Sequence, residues 1–308
     1  MSARIAHKAN KAWKRFMVDR SVTFVPQPMV KRTDQFFVMG SCFAEEIRLA
    51  LDRVLGEGHV VPDLLNLASD PPPTDADADD VLERSHLGTY NAYSVLQEME
   101  RTLGLWTPEP DDYWLVGGRL QCPYRRLVFA DTPKQFAEIS AALDTAVRAG
   151  FETADHFVFT FGMTEVFINN RSGKIANQKP GYGFGGGKDE TVYHCATFAE
   201  NLAVITRTVD LITAQKPQAR IFVTVSPVPL KRTFSGQDIM VANTRSKSTL
   251  RAVLAEVVDS RPNVIYFPSY EAVLANGNDA WEPDGRHVRR PVVEQITRAF
   301  VESYFLPA

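Results

Sequence analysis

Cysteine is scarce, with three residues (Cys42, Cys122 and Cys195) in a chain of 308. None stands in a CxxC pair or at metal-ligand spacing, so no metal site is expected. Three scattered thiols give no disulfide framework and fit a reducing compartment, which makes the expected localisation cytoplasmic. No apolar run approaches the roughly 18 residues of a membrane helix, so no transmembrane segment is expected. Charge of one sign is also missing. The net charge of −3 provides no basic field for nucleic acid, and none is expected as a partner. The arm at about 1–20 is basic but has no apolar h-region, so it reads as a solvated arm rather than a secretory signal. The aspartates of VVPDLLNLASDPPPTDADADD lack the Gly and terminal Glu of a calcium loop. GYGFGGGKDE is glycine-rich, but a phosphate loop would need Gly at Tyr182 and Ser or Thr at Asp189. It reads as a lid or a plain connection.

What is present is an α/β alternation. Phe36–Met39 is a short apolar run, the pattern of a buried strand. Phe43, Ile47, Leu51 and Val54 follow at helical spacing. Gly40 and Ser41 therefore stand at a strand-to-helix turn, on the carboxyl edge where open α/β sheets bind ligands. The first-turn N–H groups there can hold an oxyanion. The other reading of Ser41 is a plain helix N-cap. Strands are predicted at 156–161, 221–225 and 264–267. Helices are predicted from about 92, over 133–150 and 239–258, from Phe198, and over 291–304. Val22–Val25 is expected as a short edge segment, and Trp114–Gln121 and 166–177 as hairpins. Strands alternating with helices imply parallel pairing with right-handed crossovers. The expected fold is thus one α/β domain, a three-layer α/β/α sandwich with a mainly parallel sheet. An insertion at about 60–130 covers the sheet edge.

Near the other end, Asp284 and His287 stand three residues apart, on one face of a turn. Such a carboxylate can hold the imidazole Nδ1–H and leave Nε2 to accept a proton, the base-plus-orienter pair a serine nucleophile needs. Taken alone, DGRH also reads as a surface turn.

Together, these pieces resemble a known family. GSCFA at 40–44 is the pentapeptide that names the GSCFA family. The likeness extends through Gly88–Asn91, FGMTE at 161–165, SPVPLKRTF at 226–234, NTRSKSTLRA at 243–252, FPSYEAV at 267–273 and DGRH at 284–287. That family is similar to the SGNH (GDSL-like) hydrolases and acyltransferases, with their flavodoxin-like fold. The resemblance implies Ser41 as nucleophile, His287 as base and Asp284 as its orienter. Gly162 matches the glycine of the Gly-x-Asn-Asp block, but Thr164 stands where an oxyanion-hole Asn is expected and Glu165 where Asp is. The oxyanion and substrate-binding set is therefore taken as Gly40, Cys42, Gly88, Asn91, Gly162 and Thr164. Cys42 is also a rival nucleophile. About 100° around the helix from Ser41, it is expected to point away from the base and to be buried and inert.

The function expected is a serine esterase or O-acyltransferase acting on a small-molecule or glycan ester. It needs no cofactor, with coenzyme A as acyl donor if it is a transferase. Lys179, Lys231 and Arg232 lie on loops on the site side; each reads by default as solvated surface charge, and otherwise as a contact for an anionic substrate or coenzyme A. The alternative is a non-catalytic binding or assembly protein on the same fold. Oligomeric state is left open.

Overall fold

The computed structural model describes residues 21–61, 88–126, 128–177 and 189–307. The basic arm, the aspartate-rich loop, the glycine-rich loop and Lys179 lie outside them. The central sheet begins with β1 (Phe36–Gly40), which leads through Ser41 into α1 (Cys42–Leu55). Gly56 caps α1, and β2 (Val60–Val61) follows. The other central strands are β6 (His156–Phe161), β10 (Ile221–Val225) and β11 (Val264–Tyr266). All pairings are parallel, in the order β11-β10-β6-β1-β2. Taken in chain order these five strands run 2-1-3-4-5, the flavodoxin-like arrangement, whose switch point lies between the first and third strands. Here that is the seam between β1 and β6, where Gly40 pairs with Thr160.

Strands β1, β6 and β10 are buried throughout, as a sheet covered on both faces requires. Side chains alternate across the pleat. Phe36 and Val38 join one core with Phe43, Ile47 and Leu51, while Phe37 and Met39 join the other with Val95, Val147 and Ile205. The first core is covered by α1, by α6 (Ser269–Ala275) and by α7 (Arg290–Tyr304). The second is covered by α2 (Ala92–Thr102), α3 (Pro133–Thr153), α4 (Phe198–Gln215) and α5 (Ile239–Ser260). The architecture is an α/β/α sandwich.

Two small antiparallel sheets sit beside it. One is β3 (Trp114–Val116), β4 (Arg119–Gln121) and β5 (Phe129–Ala130). The other is β7 (Glu165–Asn169), β8 (Ile175–Ala176) and β9 (Thr191–Cys195), in the order β8-β7-β9. The stretch expected as an insertion, 60–130, is of mixed character, because β2 and α2 belong to the sandwich itself. Val22–Val25 forms no strand. Instead Val30 bridges Phe305, so the edge contact lies further along.

Candidate active site

Gly40 ends β1 with φ +147, and a Cβ there would lie 2.4 Å from the Thr160 carbonyl oxygen. Only glycine lets the two backbones come this close. Ser41 occupies the N-cap position of α1, yet its side chain makes no cap hydrogen bond. Its hydroxyl turns to Thr160 Oγ1 at 3.1 Å, and its N–H donates to the same atom at 3.0 Å. The plain-cap reading of Ser41 therefore does not describe the side chain.

Beyond β6 the chain passes through Gly162 and Met163. Both N–H groups donate to the carbonyl of Tyr90, at 2.9 and 3.0 Å. A Cβ on Gly162 would meet that oxygen at 3.1 Å and the Cβ atoms of Ser41 and Ser226 at 3.6 and 3.9 Å. Three loops thus converge at the switch point, from β1, β6 and β10. Ser226 follows β10 and donates its N–H to Phe161 O. Among the described residues its Oγ is buried without a hydrogen-bond partner.

Lys247 of α5 ties two of these loops together. Its buried ammonium donates to Gly162 O at 2.7 Å and to Val228 O at 2.8 Å. Burial pushes its pKa down to about 7. Nearby Cys42 works against that shift and the Arg286 guanidinium adds to it.

The loop before α7 is a small hairpin. Trp281 bridges Val288, Glu282 N–H donates to His287 O, and Gly285 turns the tip at φ +67. Asp284 Oδ2 accepts from His287 Nδ1 at 2.5 Å. Asp284 Oδ1 accepts the backbone N–H groups of Arg286 and His287 at 2.9 and 3.0 Å. Burial opposes the carboxylate charge, but these N–H donors and the imidazole outweigh it and hold the Asp284 pKa down at about 2. With Nδ1–H donated to Asp284, His287 Nε2 is the accepting nitrogen, and it receives Arg286 Nη1 at 3.2 Å. The imidazole also lies within electrostatic reach of Glu46 on α1. Burial raises that carboxyl, while Arg53 and, more weakly, His287 draw it down.

One cavity gathers some of these parts. It encloses about 30 Å³ within a hollow of about 390 Å³ counted out to solvent. Ser41, Cys42, Gly162 and Ser226 line it with Tyr90, Met163, the 228–232 loop and Arg286. Cys42 is thus a half-buried wall residue, not the enclosed thiol expected. Asp284 and His287 pair with each other but are not among the residues that line the cavity; of their loop, Arg286 reaches it. Gly40 stands directly behind Ser41. Gly88 bridges Gly40 and gives its carbonyl to Asn177 Nδ2. The Asn91 oxygen caps α2 through Ser94 N–H, and the Thr164 hydroxyl meets Ser246 Oγ at 3.0 Å. Neither lines the cavity.

Sequence reasoning did not single out Thr160, Ser226, Lys247 or Arg286. Lys247 left a signal: it stands three residues before Leu250, on the apolar stripe of α5, where a charge is out of place.

A model of the GSCFA family matches residues 35–300. The chain belongs to the GSCFA family. Solved structures similar to this GSCFA protein include two variants of Axe2, an esterase of acetylated xylan and xylooligosaccharides from Geobacillus stearothermophilus. The TM-score is 0.34 for each, with identities of 14% and 15%, covering 90% of this chain and 97% of theirs. No curated protein matches the chain.

Proposed function

We propose that this GSCFA protein is a serine esterase or O-acyltransferase for short acyl esters, an acetylated sugar or polysaccharide among them. The observation that carries the reading is the Asp284–His287 pair, held in the base-competent tautomer beside Arg286, which shares the Ser41 cavity. In the proposed reaction Ser41 Oγ attacks the ester carbonyl and His287 Nε2 takes its proton. Asp284 steadies the resulting imidazolium. For this, Arg286 Nη1 must leave His287 Nε2, which frees it to face the developing oxyanion together with the Ser226 hydroxyl. His287 then returns the proton to the departing alcohol. Water releases the acyl group in an esterase, or a second hydroxyl takes it in a transferase. Where the donor of a transferase is a coenzyme A thioester, Ser41 attacks the thioester carbonyl and the departing group that takes the proton from His287 is the coenzyme A thiol. An enclosed space of about 30 Å³ suits an acyl group of a few heavy atoms.

One observation favours the second reading, a binding or assembly protein with little turnover. The Ser41 and Gly162 N–H groups, natural oxyanion donors, both already donate within the protein.

A fluorophosphonate probe separates the two. For the enzyme, wild type and Cys42→Ala label, Ser41→Ala does not, and p-nitrophenyl acetate turnover falls by about 10⁴-fold or more in Ser41→Ala. A folded wild type that neither labels nor turns over the ester favours the binder.

A further inference from the structure

Resting on the esterase reading, we propose that Thr160 is a positioning residue for the nucleophile. Its hydroxyl donates to Ser41 Oγ, holds that oxygen away from the helix N–H groups, and steadies the charge that gathers on it during the reaction.

The first argument is where Thr160 stands. The parallel register sets it beside Gly40, and a Cβ on Gly40 would lie 2.4 Å from Thr160 Oγ1 as well as from its carbonyl oxygen. Gly40 thus leaves room for this hydroxyl at the end of β1. Val158, two residues earlier on the same face of β6, belongs to the apolar core. Packing alone would be met at Thr160 by valine, which has the same branched shape. A hydroxyl at 0% exposure instead needs hydrogen-bond partners.

The second argument follows the protons. The Ser41 N–H already donates to Thr160 Oγ1. The contact between the two hydroxyls, at 3.1 Å, can run in either direction. Were Ser41 the donor, the Thr160 proton would have no acceptor among the described residues. Thr224, its neighbour on β10, is engaged with Ser269 Oγ at 2.9 Å. With Thr160 as donor, no wholly buried proton is stranded. The Ser41 proton is then left for the cavity that Ser41 lines, and it is the proton His287 must take.

The third argument is the N-cap position. A serine there ordinarily turns its oxygen to the N–H of the second or third helical residue, here Phe43 or Ala44. Ser41 does not, and Thr160 supplies the bond that competes. As His287 takes the proton, charge builds on Ser41 Oγ and the Thr160 bond becomes charge-assisted. Once Oγ has joined the acyl group it accepts poorly. The bond strengthens again when Oγ departs in deacylation. The contribution is thus greatest in the transition states and falls on kcat rather than on KM.

The test uses the full chain as wild type, Ser41→Ala, Thr160→Val and Thr160→Ser. Turnover of p-nitrophenyl acetate is followed against its concentration, and folding is checked by thermal melting. Thr160→Val should lower kcat by about 10- to 100-fold with KM held within about threefold. Thr160→Ser keeps the donor and loses only the methyl, so it should stay within about fivefold of wild type. Where Thr160→Val does not fold, Thr160→Ala takes its place. A crystal structure of the variant without the hydroxyl should show Ser41 Oγ turned to the N–H of Phe43 or Ala44. An unchanged or raised kcat in that variant, an equal loss in Thr160→Ser, or an unmoved Ser41 side chain overturns the proposal and leaves the esterase standing. A wild type with no turnover beyond that of Ser41→Ala removes the esterase reading, and the role of Thr160 with it.

Discussion

Lys247 is a lysine held almost wholly out of water, and its protonation couples to folding. Its pKa falls from 10.5 to about 7 because burial penalises the charge. Between those values the unfolded chain keeps a proton that the folded chain has released, so stability rises with pH across that window. Below about 7 the cost of charging the buried amine is fully present. The slope is at most about 1.4 kcal/mol per pH unit. Lys247→Met should abolish this slope while leaving Gly162 O and Val228 O without their donor. Melting temperatures of both proteins from pH 7 to 10.5 check it. Wild type should gain on the variant as pH rises, and parallel curves would refute the coupling. At this scale the Asp284–His287 pairing was legible, because a spacing of three brings two side chains together in any tight turn. The partners of Ser41 were not. Thr160 is 119 residues away inside an apolar strand, where hydrophobic periodicity cannot mark one hydroxyl as special. The commitment of Asn91 to a helix cap likewise depends on where α2 begins, which the sequence left loose.

The element that holds the His287 loop in place is α7. Phe300 on its inner face lies 4.8 Å from Phe222, 4.9 Å from Phe267 and 5.1 Å from Tyr304, ring centre to ring centre. Val288, at the end of that loop, belongs to the same core. Phe300→Ala should cost about 3–5 kcal/mol, read as a lower urea midpoint. Strongly periodic elements such as α1, α4 and α7 were readable because one apolar face repeats over several turns. The elements that went unread are short or ambiguous. Two valines make β2, too few for any period. The helix Ser269–Ala275 starts directly after Pro268, which reads as an end of structure. β9 is only half-buried, so its polar and apolar residues give no clean alternation.

For the molecule as a whole, the alternation of strands and helices implied a parallel sandwich, but not which strands would be neighbours. The central strand order arises from long-range pairing, which local pattern does not encode. A buried ion pair joins α2 of the sandwich to the small β3–β5 sheet: Arg125 contacts Glu98 and, at 2.8 Å, Asp144 of α3. Glu98→Ala leaves the buried Arg125 guanidinium with Asp144 but without its buried carboxylate partner, and should cost up to about 3–5 kcal/mol, read as a lower melting temperature. Its fluorophosphonate labelling well below the melting temperature should nonetheless match wild type, because the pair lies outside the Ser41 cavity. A labelling loss in the folded variant would show that this region supports the site. The ladder between β1 and β6 fixes Ser41 against Gly162 whatever chain runs between the two strands, provided that Gly88–Tyr90 still docks on Gly40 and Gly162. Between these strands α1, β2, α2 and α3 belong to the sandwich, whereas the small β3–β5 sheet stands beside it, so a new specificity could be grafted on that sheet without rebuilding the chemistry beneath.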